Sequence, residues 1–279
     1  MSRQTTPNER VKFWRDPALQ GLEMLHATYI TYAFSRHALV GFGIAIVEAG
    51  AMKFDYRGAS HIAPAGSVVI THPGEMHTGQ AVLDTGWTYR TILPAIEWLQ
   101  QAATGLSERS EQTPYFPSPV THDSRLNQQL VKLHRILEQS SSPLERESRF
   151  TWEMAQLIHQ HARERPQIKP IGQENRAMEQ ARDFLTSYYT RNISLKELAD
   201  LVDLKPFRLL RAFKKQFGLP PHAYLNHVRV HQAKRLLARG YSISDTALAT
   251  GFADQSHLHR HFKKMLGVTP GQYAKGCRW

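Results

Sequence analysis

The spacing of apolar residues changes along this chain of 279 residues. Between residues 21 and 94, short apolar stretches rich in β-branched side chains alternate with Gly, Pro and Asp, which is typical of β-strands. From about residue 123 to 165, the apolar positions recur at helical spacing. Closely spaced short strands favour a β-barrel or jelly roll. The pattern therefore predicts an N-terminal β domain followed by helices.

The C-terminal part contains one pattern twice. The first copy, ISLKELADLVDLKPFRLLRAFKKQFGLPPHAY, begins at Ile193, and the second, YSISDTALATGFADQSHLHRHFKKMLGVTPGQY, ends at Tyr273. Arg211 and Tyr224 of the first copy return as Arg260 and Tyr273, each 49 positions later. A repeat this regular predicts two copies of one supersecondary unit.

Each copy is expected to form a helix, a tight turn and a second helix. Ser194 followed by Glu197 has the spacing of a capping box at the start of the first helix. Asp254 is placed to cap the second helix of the second copy, whereas Lys205 at the matching position of the first copy predicts a weaker cap.

The second helix of each copy is expected to have an apolar face, with Leu209 and Phe213 in the first and Leu258 and Phe262 in the second, and a basic outer face. A solvated face is the alternative, but repetition behind a tight turn favours insertion into a DNA major groove. The residues expected to contact DNA are Phe207, Arg208, Arg211, Lys214 and Lys215 in the first copy, and Ser256, His257, Arg260, Lys263 and Lys264 in the second.

The stretch from Asn175 to Tyr273 resembles the AraC/XylS family of transcription regulators. The segment GFADQSHLHRHFKKMLGVTPGQY is similar to the signature of that family. The resemblance implies seven helices holding two helix-turn-helix units, joined by a long helix at about Pro221 to Ala238. It implies that Phe207 in the first copy, and Gln255 and Ser256 in the second, contact base edges. It also implies double-stranded promoter DNA as the partner, with RNA polymerase as a further expected partner.

The charge distribution agrees with a polyanionic partner. The formal net charge is +11, and from residue 175 onward there are 18 Lys and Arg against 7 Asp and Glu. The whole excess of positive charge therefore belongs to the repeat region. The single cysteine, Cys277, allows no disulfide within the chain, and no signal peptide or long apolar run is present, so we expect a cytoplasmic protein.

The β domain resembles the cupin-type sensor domain carried by many members of the same family. The resemblance rests on Pro64-Ala65-Gly66 and on His72-Pro73-Gly74-Glu75. Small barrels of this kind hold one ligand in the lumen, and we expect a small polar effector there. The candidate ligand-binding residues are Arg36, His37, His77, Trp87 and Tyr89, although plain core packing remains the alternative for Trp87 and Tyr89.

Two other functions compete with ligand sensing. A metal-dependent cupin enzyme attached to a DNA-binding domain would need a second histidine two residues after His37, where Leu39 stands, so we expect no metal, no cofactor and no catalysis. Glu48, His72 and His77 are the remaining candidate ligands of such a metal. The third possibility is an architectural DNA-binding protein with an inert barrel.

The predicted fold class is α+β, with an N-terminal cupin-like β-barrel, connector helices and an all-α C-terminal domain with two helix-turn-helix units. The predicted boundaries are 1–122 for the sensor with its N-terminal arm, 123–164 for the connector, 165–174 for the linker and 175–279 for DNA binding. The connector carries two apolar stripes that either form a homodimer, as we expect, or pack on their own barrel; they are Leu126, Leu130, Leu133 and Leu137, and Phe150, Met154, Leu157 and His161. Phe13 and Trp14 of the arm either form a movable latch or pack permanently on the barrel.

Overall fold

The computed structural model describes residues 9–106, 113–164 and 174–277. All but the last position of the predicted linker, 165–174, therefore lies outside the described residues. The described residues form two compact units. The first contains residues 9–106, 113–139 and 150–164, and the second contains residues 140–149 and 174–277.

The first unit is built on antiparallel strands. Its described strands are β1 (Arg10–Asp16), β2 (Leu22–Tyr29), β3 (Phe34–His37), β4 (Gly43–Tyr56), β5 (Ala59–Pro64), β6 (Val68–Thr71), β7 (His77–Ala81), β8 (Trp87–Leu93) and β9 (Val120–Thr121). One sheet has the order β1-β2-β8-β4-β6-β9, and β4 also pairs with β5 and β7, while β7 pairs with β3. Strand β4 thus belongs both to this sheet and to a second sheet, which it forms with β5, β7 and β3. The inner face of β4 lines the lumen between the two sheets.

The long strand β4 runs through residue 50 without ending there. Its pairing with β8 is irregular between Val47 and Ala49, and Gly50 follows with a φ of +69°. A Cβ at Gly50 would lie 2.1 Å from the carbonyl oxygen of Gly86. A glycine is therefore required at this bend, which lets one strand pass from one sheet to the other.

The N-terminal arm is a strand of the sheet from residue 10 onward. β1 pairs with β2 along its whole length, with Phe13 opposite Leu25 and Trp14 opposite Met24. The Trp14 ring contacts His134 edge-on at 4.9 Å between ring centroids. Packing on the barrel is thus the alternative that the structure shows for this segment. The first eight residues lie outside the described part.

Three α-helices of the described residues belong wholly or in part to the first unit. They are α1 (Ile96–Leu106), α2 (Ser124–Gln139) and α3 (Pro143–His161), of which α3 contributes its first seven residues to the second unit. In the described residues no helix is long and apolar enough to cross a membrane.

The leucine stripe of α2 packs within its own chain. Its four leucines are at most 3% exposed, and the helix lies against β4 and β8. Phe150 and Met154 of α3 are likewise fully buried, with Phe150 against Trp98 at 5.3 Å between ring centroids. These residues are therefore buried within the described chain, which agrees with the alternative that the stripes pack in the same chain, and the homodimer stays a prediction.

The second unit has seven described helices after the α3 segment, the number that the family resemblance implies. They are α4 (Asn175–Ser187), α5 (Leu195–Leu201), α6 (Pro206–Phe217), α7 (Pro221–Ala238), α8 (Ile243–Ala249), α9 (Gln255–Leu266) and α10 (Pro270–Gly276). The two helix-turn-helix units are α5–α6 and α8–α9. The long helix α7 has the bounds expected from the sequence.

The helix caps largely follow the sequence. Ser194 Oγ accepts the amide of Glu197 at 3.0 Å, and Asp254 Oδ1 accepts the amide of His257 at 2.7 Å. The second half of the expected capping box is absent, because the Glu197 carboxylate pairs with Arg191 at 3.1 Å. Lys205 makes no side-chain cap at the start of α6, as expected.

Arg229 holds α7 to the chain segment between α4 and α5. It is 2% exposed, and its guanidinium donates to the carbonyl oxygens of Tyr189 at 2.7 Å and Arg191 at 2.8 Å. Burial lowers the pKa of Arg229 to about 10, so the side chain stays charged at neutral pH. The apolar residues around α7, such as Val230, Leu237 and Phe262, form the core beside it.

Candidate nucleic-acid interface and ligand cavity

The outer face of α9 is an open surface groove. It is lined by Gln255, Ser256, His259, Arg260, Lys263 and Lys264. All six side chains are exposed, while Leu258 and Phe262 on the opposite face are fully buried. The face therefore combines hydrogen-bonding groups near the helix start with cations toward its end. It has the chemistry that reads base edges and contacts phosphates in a major groove.

His257 does not belong to this face, contrary to the sequence prediction. It is 5% exposed, and its ring packs edge-on against Phe252 at 5.2 Å between ring centroids. His259 is exposed in its place. Helical spacing from Ser256 and Lys263 would have identified His259, because it lies three residues after the first and four before the second.

The corresponding outer face of α6 is less exposed to solvent than that of α9. Phe207, which we expected to contact a base, is 1% exposed and belongs to the core. Arg208 Nε lies 2.6 Å from Glu174 Oε1, and the guanidinium of Arg211 lies 5.9 Å from the centre of the Phe207 ring. Both arginines are half-buried, whereas Lys214 and Lys215 are exposed. The two recognition helices thus present different surfaces.

The two helix-turn-helix copies differ in the turn between their helices. The turn of the first copy has Asp203 with a φ of +51°, and the turn of the second has Gly251 with a φ of +78° at the corresponding position. α6 then begins directly after Lys205 and α9 directly after Asp254, so the second turn is one residue longer. The N-cap positions of the two helices correspond to each other, so α9 has a side-chain cap that α6 lacks because Asp254 stands where the first copy has Lys205.

The first unit contains a cavity of about 180 Å³ between its sheets. Seven strands contribute to the lining, which is mostly apolar. The polar side chains in the lining are His37, Thr71, His77, Thr78, Tyr89 and Thr91. Phe13 of β1 also lines it and is 53% exposed, so this ring lies at the edge of the cavity.

Three of the five expected ligand-binding residues line the cavity, namely His37, His77 and Tyr89. Arg36 is exposed on β3 and is not among the lining residues. Trp87 is 1% exposed and packs in the core against Tyr89, with 5.9 Å between ring centroids. Along β8, Tyr89 and Thr91 face the lumen, and Arg90 between them faces away from it.

The rings of His37 and His77 lie side by side, with 4.4 Å between their centroids. The Nδ1 of His37 is 2.8 Å from the carbonyl oxygen of Ser35, and that of His77 is 3.2 Å from the carbonyl oxygen of Glu75. Burial, and then the proximity of His37, lowers the pKa of His77. Burial raises the pKa of Tyr89, so its hydroxyl remains a donor at neutral pH.

Arg90 forms a buried ion cluster behind the sheet, which the sequence did not reveal. It is 6% exposed, and its guanidinium lies 3.0 Å from both Glu48 Oε2 and His134 Nδ1. His26 also contacts Glu48 at 3.0 Å. The cluster joins β2, β4, β8 and α2, and a buried charge of this kind needs such partners.

Two of the candidate metal ligands, Glu48 and His72, bind to other side chains. Glu48 belongs to the Arg90 cluster, and His72 contacts Tyr56, Arg57 and the backbone of Phe116. Within the described parts of the chain, no three His, Cys, Asp or Glu side chains form a group suited to a metal ion.

Two family models match the chain. The model described as the AraC-like ligand binding domain matches residues 19–154, and a helix-turn-helix domain model matches residues 198–276. Together they cover the barrel with its helices and both repeat units. The chain belongs to the AraC/XylS family of transcription regulators. Like other members, it is a DNA-binding transcription regulator with an N-terminal ligand-binding domain.

Similar members of the family align over most of the chain. The HTH-type transcriptional regulator YbfI of Bacillus subtilis is 28% identical over 90% of this chain and 90% of its own length. The HTH-type transcriptional activator RhaS of Enterobacter sp. is 26% identical over 88% of each chain. The lactose operon transcription activator of Staphylococcus xylosus is 23% identical over 82% of this chain and 81% of its own length.

Proposed function

We propose that this regulator binds promoter DNA chiefly through α9, with α6 as a second reader, and that a small molecule in the barrel cavity controls this binding. The observation that carries the proposal is the difference between the two recognition faces. The α9 groove is open and carries Arg260, Lys263 and Lys264, whereas Arg208 of α6 is already paired with Glu174. Open cations can reach phosphates without first breaking an internal ion pair.

The test begins with selection of binding sites from random duplex DNA by the full-length protein. Protection of two successive major grooves, about 10 base pairs apart, is expected for two helices on one side of the duplex. Affinity for the selected site is then measured with and without fractions of a bacterial metabolite extract. A change in affinity with one fraction supports effector control, and unchanged affinity with every fraction contradicts it.

The names of two relatives support activation rather than repression. RhaS and the lactose operon protein are both described as transcription activators. We therefore infer that the regulator activates transcription and contacts RNA polymerase at the promoter, and that it acts in the cytoplasm, where bacterial promoters lie. In vitro transcription from the selected site, with and without the regulator, tests this inference, and a decrease in transcript contradicts it.

Self-association remains a prediction, and it must use a surface other than the buried leucine stripe of α2. Sedimentation equilibrium of the full chain tests it. We further infer that the protein is not an enzyme, because His72 and Glu48 have structural partners. Metal analysis of the purified protein, together with the metal dependence of its stability, tests this second inference.

A further inference from the structure

The cavity of the first unit is small, and none of the described residues that line it is charged. Its volume of about 180 Å³ lies below the 300–1,000 Å³ of pockets that hold drug-sized ligands. An engineered cavity of about 150 Å³ with apolar walls, in another protein, holds benzene. The lumen therefore fits one six-membered ring, or an apolar chain of similar size, with a short substituent.

The His37–His77 pair supplies the strongest polar feature of this lumen. Each Nδ1 faces a backbone carbonyl oxygen, to which it donates its hydrogen. The Nε2 of each ring is then the nitrogen at which a proton can be gained or lost. Tyr56 lies 6.5 Å from His77 between ring centroids, and Tyr89 is also in the cavity lining.

The charge of the ligand's polar group determines how favourably it binds beside His37 and His77. An ammonium group would enter a lumen in which no described lining residue carries a carboxylate, and its charge would stay uncompensated at a high desolvation cost. A hydroxyl group would form one neutral hydrogen bond. A carboxylic acid can pass its proton to one Nε2 and remain as a carboxylate beside the imidazolium, so that the site as a whole gains no net charge.

We propose that the barrel binds a small organic acid whose apolar body is about the size of one ring and whose carboxylate pairs with His37 and His77. The proposal rests on the proposed function, since it names the class of effector that the same cavity takes. The proton balance is closed, because the proton that leaves the carboxyl group is the proton that the imidazole gains. The hydroxyls of Thr71, Tyr89 and Thr91 are further donors in the same lining.

The experiment compares three probes that share one ring and differ in the polar group: benzoate, benzyl alcohol and benzylamine. Binding to the full-length protein is measured by calorimetry and by the rise in melting temperature. Benzoate is expected to bind about tenfold more tightly than benzylamine, the factor typical of one hydrogen bond to a charged group. Equal or tighter binding of benzylamine or benzyl alcohol overturns the proposal, as does the absence of binding by all three.

Variants then locate the polar contact. His37→Gln and His77→Gln are each expected to weaken benzoate binding about tenfold and to change benzyl alcohol binding far less. His122→Gln is the matched control, because His122 is exposed and lies outside the cavity lining. Ala45→Leu fills the lumen and should abolish binding of all three probes. An unchanged preference for benzoate in both cavity histidine variants overturns the proposal, and if these variants do not fold, the ranking of the probes on the natural protein decides.

Failure of this proposal is distinguishable from failure of the proposed function. If a metabolite fraction alters DNA affinity while no probe binds, the ligand class is wrong and effector control stands. If benzoate binds as expected while no compound alters DNA affinity, the ligand class stands and effector control is wrong.

Discussion

The Nε of Arg208 lies 2.6 Å from Oε1 of Glu174, which joins the first described residue after residues 165–173 to the first recognition helix. The carboxylate also acts on Arg211, whose pKa it raises in opposition to the larger effect of burial. An acidic group at this place lowers the positive potential of α6 toward DNA phosphates. We therefore predict that Glu174→Gln increases affinity for DNA of any sequence several-fold at low salt.

The salt dependence provides the check on this prediction. With one more cation available, the slope of log affinity against log salt should steepen by up to about one unit. Glu179→Gln is the matched control, because this exposed glutamate lies on α4 and its contact with Arg182 is long, at 3.9 Å. Weaker binding by Glu174→Gln would mean that Glu174 positions Arg208 for DNA rather than opposing it.

Arg260 is predicted to read a base. It is exposed on α9 one turn after Ser256, and arginine makes bidentate contacts to guanine. Arg260→Ala should cost about 1–3 kcal/mol on the selected site and relax the preference at one base position. Arg211→Ala should cost less, because Arg211 is half-buried against Phe207. Repeating the site selection with each variant measures both effects, and unchanged discrimination by Arg260→Ala excludes base reading.

Lys263 is predicted to contact phosphate rather than bases, because it lies in the last turn of α9. Lys263→Ala should weaken binding to all sequences alike and flatten the salt slope by about one unit. Lys275→Ala is a suitable control, since Lys275 is exposed on α10 and lies outside the α9 groove. Titrations at several salt concentrations distinguish the two roles, and a loss confined to one base pair would contradict the phosphate role.

Arg229 is predicted to stabilise the second unit. Arg229→Met leaves the carbonyl oxygens of Tyr189 and Arg191 without their guanidinium donor and should cost about 2–4 kcal/mol in the free energy of unfolding. Arg235→Met on the exposed side of the same helix should change stability by less than about 0.5 kcal/mol. Urea denaturation of the full chain measures both, and similar values for the two variants would contradict the structural role of Arg229.

His72 makes the first unit sensitive to acid. Burial, and next the charge of Arg57, lowers its pKa to about 4, from about 6.5 in an unfolded chain. The Nε2 of His72 accepts a hydrogen bond from the backbone amide of Phe116 at 2.9 Å. A proton added to this nitrogen would point at the amide hydrogen and break the hydrogen bond. Since the folded state holds this proton less tightly, the stability that the neutral ring contributes is complete above pH 6.5 and is lost as the pH falls toward 4.

The size of this effect can be isolated by substitution. The lowered pKa of His72 corresponds to about 3–4 kcal/mol if it acts in full, and partial solvation of the ring makes about 1–3 kcal/mol the expected contribution to the free energy of unfolding. His72→Gln should therefore reduce the loss of stability between pH 6.5 and 4 without removing it, because burial also lowers the pKa of His134 to about 4. Thermal melts across this range measure the difference, and an unchanged pH profile would show that His72 does not contribute.

The repeat was predictable because its information is local. The bounds of α7 and the cap at Asp254 follow from residues a few positions apart. The faces of α6 and α9 were only partly predictable, because helical spacing assigns a direction but not a neighbour. Phe207 and His257 were both placed outward, yet the core at the helix start covers them.

The barrel was harder to predict, because its determinants are distant in sequence. The bend of β4 depends on the approach of Gly86 to Gly50, and the histidine pair depends on the pairing of β3 with β7. The partner of the leucine stripe of α2 is the outer side of a sheet, including the ion cluster of Arg90 and Glu48. Apolar spacing alone does not distinguish a partner in the same chain from one in a second chain.

The presence of both recognition helices in one polypeptide, connected by α7, affects how binding specificity can evolve. In a homodimer with one recognition helix per chain, every substitution appears twice and alters both half-sites together. Under the proposed function, we expect a substitution at Arg260 to change one half of the recognised sequence, while α6 continues to read the other. New target promoters would then be accessible through single mutational steps that each preserve half of the ancestral specificity.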